Sequence, residues 1–177
     1  MATSAIPSYG SPPLTEVACG VQFGAVPLQT RHIGQFWTEI RDEYPLTQDF
    51  PPIPDVGEPP GVSVLIMPPL RRVFFATTTT EYVIQLQDSR FHHNWRKLSP
   101  TVQYPRFHAV FRKFVTAWGR FSDFVKGQGL PEPNPSRYES SRRCSCSTGR
   151  TSTLIFCQSP RRQISLGAFH CLRPKAY

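Results

Sequence analysis

The stretch from Glu81 to Arg96 constrains the fold most, because apolar and polar side chains alternate on both sides of a two-residue link, Asp88-Ser89. So short a link fixes the register of a hairpin. Tyr82, Ile84 and Leu86 then face Trp95, His93 and Phe91 on one side, while Val83, Gln85 and Gln87 face Asn94, His92 and Arg90 on the other. Since only the first side is apolar and aromatic, the pattern predicts an antiparallel sheet that is covered on one face.

A strand is predicted upstream of this hairpin, at residues 15–23. Every second side chain from Val17 to Phe23 is apolar, which is the period of a strand with one buried face. Cys19 falls on that face. We interpret it as a small core residue, as isolated cysteines commonly are.

Two helices are predicted from apolar side chains that recur every three or four residues. The first is expected to be capped by Thr30 and ended by Pro45, and its stripe consists of Ile33, Phe36, Trp37, Ile40 and Tyr44. The second is expected from about Pro105 to Lys126, with a stripe of Phe107, Val110, Phe111, Phe114, Val115, Trp118, Phe121 and Val125.

The remaining segments complete an α+β fold. Residues 45–61 are expected to form a proline-rich loop, followed by short strands at 62–67 and 72–76, and a further strand is expected after Pro135. Helices packed on one face of a mostly antiparallel sheet make an α+β sandwich, for which a ferredoxin-like arrangement is one candidate topology.

The composition changes after Pro135, and this change predicts the domain organisation. Residues 1–11 are interpreted as a flexible lead, 12–135 as the α+β module, and 136–177 as a basic tail rich in Ser, Arg and Cys that is expected to be disordered. The tail holds eight of the 20 basic residues and one of the 12 acidic residues, which leaves 12 and 11 in residues 1–135. Of the net charge of +8, the tail therefore contributes +7 and residues 1–135 only +1, and so nearly neutral a module gives little support to nucleic-acid binding.

Four segments match, in order and spacing, the motifs of a known family. They read PLTEV at 13–17 with GVQF at 20–23, FWTEIRDEYP at 36–45, IQLQDSRF at 84–91 with NWR at 94–96, and YPRF at 104–107. In these motifs the chain resembles a sporadically distributed, uncharacterised bacterial protein family, over about residues 12–139. The resemblance implies no reaction or ligand. It does imply a longer protein, in which a strand resembling Gln-x-Glu-Val-x-Tyr leads into a second half of α/β character.

The chain departs from the family pattern soon after Pro135. Arg137-Tyr138-Glu139 keeps something like the start of that strand, whereas residues 140–177 have no sustained helical or strand period and hold four of the five cysteines. We therefore expect a truncated member, whose tail is translated out of frame after about Glu139. If neither of the other two reading frames of the gene encodes a family-like second half, this expectation is wrong.

The polar face of the hairpin supplies the candidate ligand-binding residues, which are Gln85, His92, Asn94 and Arg96. A solvated or partner-covered sheet face is the alternative interpretation. His92 and His93 point to opposite faces of a strand, so they cannot readily chelate one ion, and His93 is expected to be a satisfied core histidine. No catalytic residues are predicted, because the sequence lacks a glycine-rich phosphate loop, a nucleophile elbow and paired His ligands at helical spacing.

The cysteines and aromatic residues are interpreted without a ligand. Cys144-x-Cys146, Cys157 and Cys171 lack the paired spacing typical of structural zinc sites, so neither a metal nor a cofactor is predicted. An RNA-binding sheet needs aromatic side chains on its open face. The aromatic residues of this hairpin lie on the apolar face instead, so nucleic-acid binding is expected only from the tail, without sequence specificity.

These observations together favour a binding protein. The sequence shows no secretory signal and no run approaching the ~18 apolar residues of a membrane span, so we expect a cytoplasmic protein without a membrane partner. We expect a non-enzymatic binding or interaction module with an unidentified protein partner. The alternatives are a fragment of an enzyme whose site needs the missing second half, and a nucleic-acid-associated protein of a mobile or defence-type gene cluster.

Overall fold

Seven strands and two helices lie in the residues that this computed structural model describes, which are 12–24, 26–53, 70–145 and 151–158. In chain order they are β1 (Leu14–Phe23), α1 (Thr30–Ile40), β2 (Leu46–Phe50), β3 (Arg72–Ala76), β4 (Tyr82–Leu86), β5 (Arg90–Arg96), α2 (Phe107–Gly127), β6 (Pro135–Ser145) and β7 (Thr151–Gln158).

The strands form one antiparallel sheet in the order β2-β3-β4-β5-β1-β6-β7, which confirms the predicted α+β class. The four central strands, β4-β5-β1-β6, have the order and directions of a ferredoxin-like sheet, with α1 following β1 and α2 joining β5 to β6. The β2–β3 pair extends this sheet beyond β4.

The central hairpin has the register predicted from its two-residue loop. Tyr82 pairs with Trp95, Ile84 with His93, and Leu86 with Phe91. The Gln87 N–H closes the hairpin by donating to the carbonyl of Arg90 at 2.9 Å. The alternation of apolar and polar side chains is therefore carried onto the two faces of the sheet as expected.

Both helices contribute aromatic side chains to a core on the apolar face of the sheet. Phe36 of α1 and Phe121 of α2 are fully buried and meet edge to face, with ring centroids 5.4 Å apart. Phe121 also stacks on Phe91 of β5 at 5.4 Å, so one ring joins both helices to the sheet. Cys19 lies in this core, as predicted, and burial raises the pKa of its thiol to about 12.

One side chain of the predicted α2 stripe lies outside the core. Val115 is 49% exposed, whereas Ala117 and Phe124 are buried. Successive residues of a helix are about 100° apart around its axis. Val115 follows the buried Phe114 directly, so this rotation carries it away from the sheet.

Two boundaries before the hairpin differ from the prediction. Residues 46–50, expected in a loop, form β2, a strand at the edge of the sheet with four exposed residues out of five and no alternating pattern to reveal it. The N-cap of α1 is Gln29 rather than Thr30, because the Gln29 N–H donates to Nδ1 of His32 at 3.0 Å. The strand predicted at 62–67 lies outside the described residues.

The strand expected after Pro135 is present as β6, and it continues to Ser145, within the segment predicted as a tail. It pairs with β1 along almost the whole length of that strand, and β7 pairs with β6 in turn. The reason lies in the backbone: the second edge of β1 has N–H and C=O groups that β6 satisfies whatever its side chains are. Residues 1–11, 146–150 and 159–177 lie outside the described part, so the disorder predicted for the lead and for the rest of the tail stays a prediction.

Among the described residues, neither helix is long and apolar enough to span a membrane.

Candidate functional site

The face of the sheet opposite the helices carries polar side chains in rows that run across the strands. In one row, Gln85 of β4 lies opposite His92 of β5, His92 lies opposite Gly20 of β1, and Gly20 lies opposite Glu139 of β6. Neighbouring rows add side chains from β5 and β1. We call six of these residues the polar patch: Glu16, Gln22, Gln85, His92, Asn94 and Glu139.

His92 reaches across β1 because the residue between it and Glu139 is a glycine. Nε2 of His92 lies 3.1 Å from one carboxylate oxygen of Glu139, two strands away. A Cβ on Gly20 would come within 2.6 Å of this nitrogen and 2.8 Å of Cγ. The other oxygen of Glu139 accepts a hydrogen bond from Nε2 of Gln22, so both oxygens are held in place.

The pKa of Glu139 is held below its ordinary value. The hydrogen bond with His92 is the main cause, and electrostatic interaction with His92 and Arg90 adds to it, against an opposing effect of burial. A carboxyl group with a lowered pKa stabilises the fold above its unfolded pKa, and this stabilisation is lost as the pH falls through the folded pKa. Glu139 is therefore ionised at neutral pH, which favours its pairing with His92.

Asn94 is fixed by a second set of contacts in the patch. Its Nδ2 donates to one oxygen of Glu16 at 2.7 Å, and the other oxygen of Glu16 lies 3.2 Å from Nη1 of Arg143. Asn94 is only 5% exposed, and its Oδ1 has no hydrogen-bond partner among the described residues. A buried carbonyl without a donor is destabilising, so this oxygen is an unsatisfied polar group beneath the surface of the patch.

Arg96, the fourth residue predicted for the site, lies opposite Glu16 on the sheet, but its guanidinium makes contacts outside the polar patch. Its Nε and Nη2 both donate to the carbonyl of Thr80, at 3.3 and 2.9 Å. Thr80 has a φ of 56°, a backbone conformation that needs support from its surroundings. Arg96 therefore stabilises the turn between β3 and β4, whereas Gln85, His92 and Asn94 lie together on the sheet.

His93 is buried on the opposite face, as predicted from the register, and is 0% exposed. Its Nε2 lies 3.0 Å from the hydroxyl of Tyr44, but Nδ1 has no partner among the described residues, so the histidine is only half satisfied. Burial, assisted by the charge of Lys113, lowers the pKa of His93 from 6.5 to about 4. The imidazole is therefore neutral at physiological pH.

An aromatic pair lies on the β2–β3 side of the same face as the polar patch. The rings of Phe50 and Phe74 are 4.3 Å apart between centroids. The guanidinium of Arg72 lies over both, 5.5 and 5.1 Å from their centroids. These contacts occupy the ring faces with one another and with Arg72.

Three members of the polar patch, Glu16, Gln22 and Glu139, were absent from the sequence prediction. A signal for the first two exists in the alternation of β1, which directs them away from the apolar side chains of that strand. Glu139 had no such signal, because its place beside Gly20 depends on pairing between β1 and β6 that no local pattern specifies.

The chemistry of the patch is that of directed hydrogen bonds. Gln22, Gln85 and Asn94 carry amide groups, and the His92–Glu139 pair adds an imidazole oriented by a carboxylate, an arrangement that can also serve in proton transfer. Cys19 lies on the other face with a raised thiol pKa, so it supplies no nucleophile here. Of the tail cysteines weighed as zinc ligands, Cys146 and Cys171 lie outside the described residues.

Comparison with protein-family models, with curated proteins and with solved structures finds no match to this chain.

Proposed function

We propose that this chain is a non-enzymatic binding module that acts in the cytoplasm and holds a protein partner through the polar patch. The observation that carries the proposal is the polar patch itself, which brings Gln85, His92, Asn94 and Glu139 from three different strands onto one face. Two sets of contacts, His92 with Glu139 and Asn94 with Glu16, hold side chains of the patch in place.

Pre-formed pairing favours binding because it lowers the cost of association. Long polar side chains lose about 0.5–1.5 kcal/mol each when an interface immobilises them. His92, Glu139 and Gln22 already hold one another in fixed positions, so little of this freedom remains to be lost.

A protein partner fits this face better than a nucleic acid does. Single-stranded nucleic acids bind sheet faces by stacking their bases on free aromatic rings. Trp95 and Phe91 are buried on the helix side, and Phe50 and Phe74 pack against each other with Arg72 over both rings. Nucleic-acid association therefore stays an alternative, in which the basic residues after Pro135 make the contacts.

The second alternative is a fragment of an enzyme. The His92–Glu139 pair has the arrangement of a base and the group that orients it, and a second half of the kind found in the family that the chain resembles would have to supply the substrate site. In this alternative the chain is a truncated relative of that family.

Capture from a lysate of the source cells, followed by binding measurements with the purified partner, tests the proposal. The two variants to compare are Gln85→Lys, in the patch, and Gln35→Lys, on the exposed side of α1. Both make the same chemical change. Because a lysine cannot replace the amide and brings an unpaired charge to the interface, Gln85→Lys is expected to weaken binding about tenfold or more, and Gln35→Lys to leave it unchanged.

Three results would contradict the proposal. A partner that binds both variants equally well does not use the patch. A capture that nuclease treatment abolishes assigns the chain to nucleic acid instead. Chemical turnover of a small molecule by the full chain, lost in His92→Ala, would support the enzyme alternative.

A further inference from the structure

The outer edge of β2 is separate from the polar patch. β2 lies at one end of the sheet and pairs with β3 on its inner side, so every second residue directs its N–H and C=O groups outward. In the part of the chain that the structure describes, no other backbone group pairs with these outward groups. An edge of this kind is a template on which one more strand can form.

β2 is short, but within the strand there is no proline, lysine or bulge to keep another strand away. Its pairing with β3 runs over all five residues in one register, whereas the pairing of β6 with β1 has register shifts. Its one charged residue, Asp49, is already paired with Arg71 at 2.8 Å. Leu46 is 45% exposed and lies on the same face of the sheet as Phe50. The edge therefore offers both backbone groups and an exposed apolar side chain to a partner.

The sequence of β2 is complementary to a second copy of itself. In an antiparallel pair centred on Gln48, Leu46 lies opposite Phe50 of the partner subunit, and Thr47 lies opposite Asp49 of the partner subunit. The first pair is apolar, and in the second the hydroxyl can donate to the carboxylate. Two-fold symmetry repeats each pair, so every side chain of the strand meets a suitable neighbour.

Other registers of self-pairing are less favourable. A shift of one position sets outward-directed residues against inward-directed ones, so their backbone groups do not meet. A shift of two positions in one direction sets Asp49 against Asp49 of the partner subunit, and in the other direction it sets Asp49 against a proline. Pro45 and Pro51 each lie three positions from Gln48, so the centred register pairs the whole strand and ends at a proline on both sides.

We propose that two copies of this chain associate through β2, by antiparallel pairing about Gln48, into a two-fold dimer with one continuous sheet. The association closes on itself, because each copy contributes the same edge. Since paired residues share a face, the polar patches of both copies lie on the same side of the joined sheet. A pairing of five residues is smaller than a stable interface of about 1,200–2,000 Å², so we expect a dissociation constant in the micromolar range or above. This self-association goes beyond the protein interface proposed above and is independent of it.

A cysteine at the centre of the pairing tests the register. Gln48→Cys sets two sulfurs opposite each other in the dimer, with Cα atoms about 4.5–5.5 Å apart, which suits a disulfide. After mild oxidation of the full chain, mass spectrometry is expected to find the two central peptides joined to each other. Gln35→Cys, on the exposed side of α1, is the matched control and is expected to give about tenfold less of its own cross-link. Equal cross-linking of the two variants would overturn the proposal.

Sedimentation of the full chain under reducing conditions measures the affinity. Thr47→Asp sets two like-charged pairs across the interface and is expected to weaken dimerisation about tenfold or more. Thr47→Lys sets a lysine against Asp49 of the partner subunit and is expected to strengthen it severalfold, less so at high salt. Thr78→Asp makes the first change in the exposed turn after β3 and is expected to leave dimerisation unchanged.

Circular dichroism establishes that each of these variants folds. A native chain that stays monomeric at about 1 mM would contradict the inference, because its edge then has no affinity for a second copy. A dimer that Thr47→Asp weakens no more than Thr78→Asp does would also contradict it, because that dimer forms through another surface.

Discussion

The native protein is expected to lose about 3 kcal/mol of its free energy of unfolding through His93 as the pH falls from about 6.5 to about 4, and the variant His93→Phe is expected not to show this loss. In the unfolded chain the imidazole takes up a proton near its ordinary pKa of 6.5, whereas in the fold burial and the charge of Lys113 delay protonation to about pH 4. Between these values the unfolded chain binds more protons. The contribution of His93 to the free energy of unfolding is therefore fully present above pH 6.5 and declines as the pH falls toward 4.

Urea unfolding at a series of pH values measures this effect as a difference between the native protein and His93→Phe. Other groups, among them Glu139, also lose stabilising interactions in acid, and the difference between the two proteins cancels their contributions. Tyr44→Phe is the control. It removes the hydroxyl bonded to His93 but leaves the imidazole buried, so its pH dependence is expected to stay close to that of the native protein. A constant difference between native and His93→Phe from pH 7 to pH 4.5 would show that His93 is not buried in its neutral form.

Gly20→Ala is expected to destabilise the protein by about 2 kcal/mol, within the 1–3 kcal/mol typical of overpacking. The added Cβ would collide with the imidazole of His92, which lies across Gly20 on its way to Glu139. Relief of that collision requires the ring to move, and the His92–Glu139 contact is then lost. Urea unfolding at neutral pH measures the change.

Two further variants separate this collision from a general effect of alanine in the sheet. In a His92→Ala background the ring is absent, so Gly20→Ala should cost less than half of what it costs in the native protein. Gly24→Ala, where a Cβ meets nothing within 4 Å, is expected to change the free energy of unfolding by no more than about 0.5 kcal/mol. If Gly20→Ala costs the same with and without His92, the ring does not lie over Gly20.

The sequence predicted the parts of the fold that local patterns specify. The two-residue loop at Asp88-Ser89 set the hairpin register, and the side chains placed on the apolar face, such as Phe91 and Trp95, are buried. The spacing of Phe36 and Ile40 predicted α1, and burial follows that stripe. In each case the deciding interactions link residues close together in the chain or repeat with the period of one element.

The parts that the sequence left open depend on which strands become neighbours. The side chains of β2 are mostly exposed and the strand lies between two prolines, so no sequence pattern indicates it. It is a strand because its backbone pairs with β3. Glu139 enters the polar patch because β6 lies beside β1, a pairing between segments more than 100 residues apart. Composition suggested that the module ends at Pro135. Composition indicates whether side chains can be buried, but it does not indicate whether the backbone forms hydrogen bonds with a neighbouring strand.

A double-mutant cycle on His92 and Glu139 tests most directly whether β6 completes the polar patch. These residues are 47 positions apart and contact each other only if β5, β1 and β6 are neighbours in the stated register. Urea unfolding of the native protein, His92→Ala, Glu139→Ala and the double variant at neutral pH gives the coupling energy. Because the pair is a partly buried hydrogen bond to a charged group, we predict a coupling of about 1–2 kcal/mol. Additive effects, with a coupling below about 0.3 kcal/mol, would contradict the patch and the place of β6 beside β1.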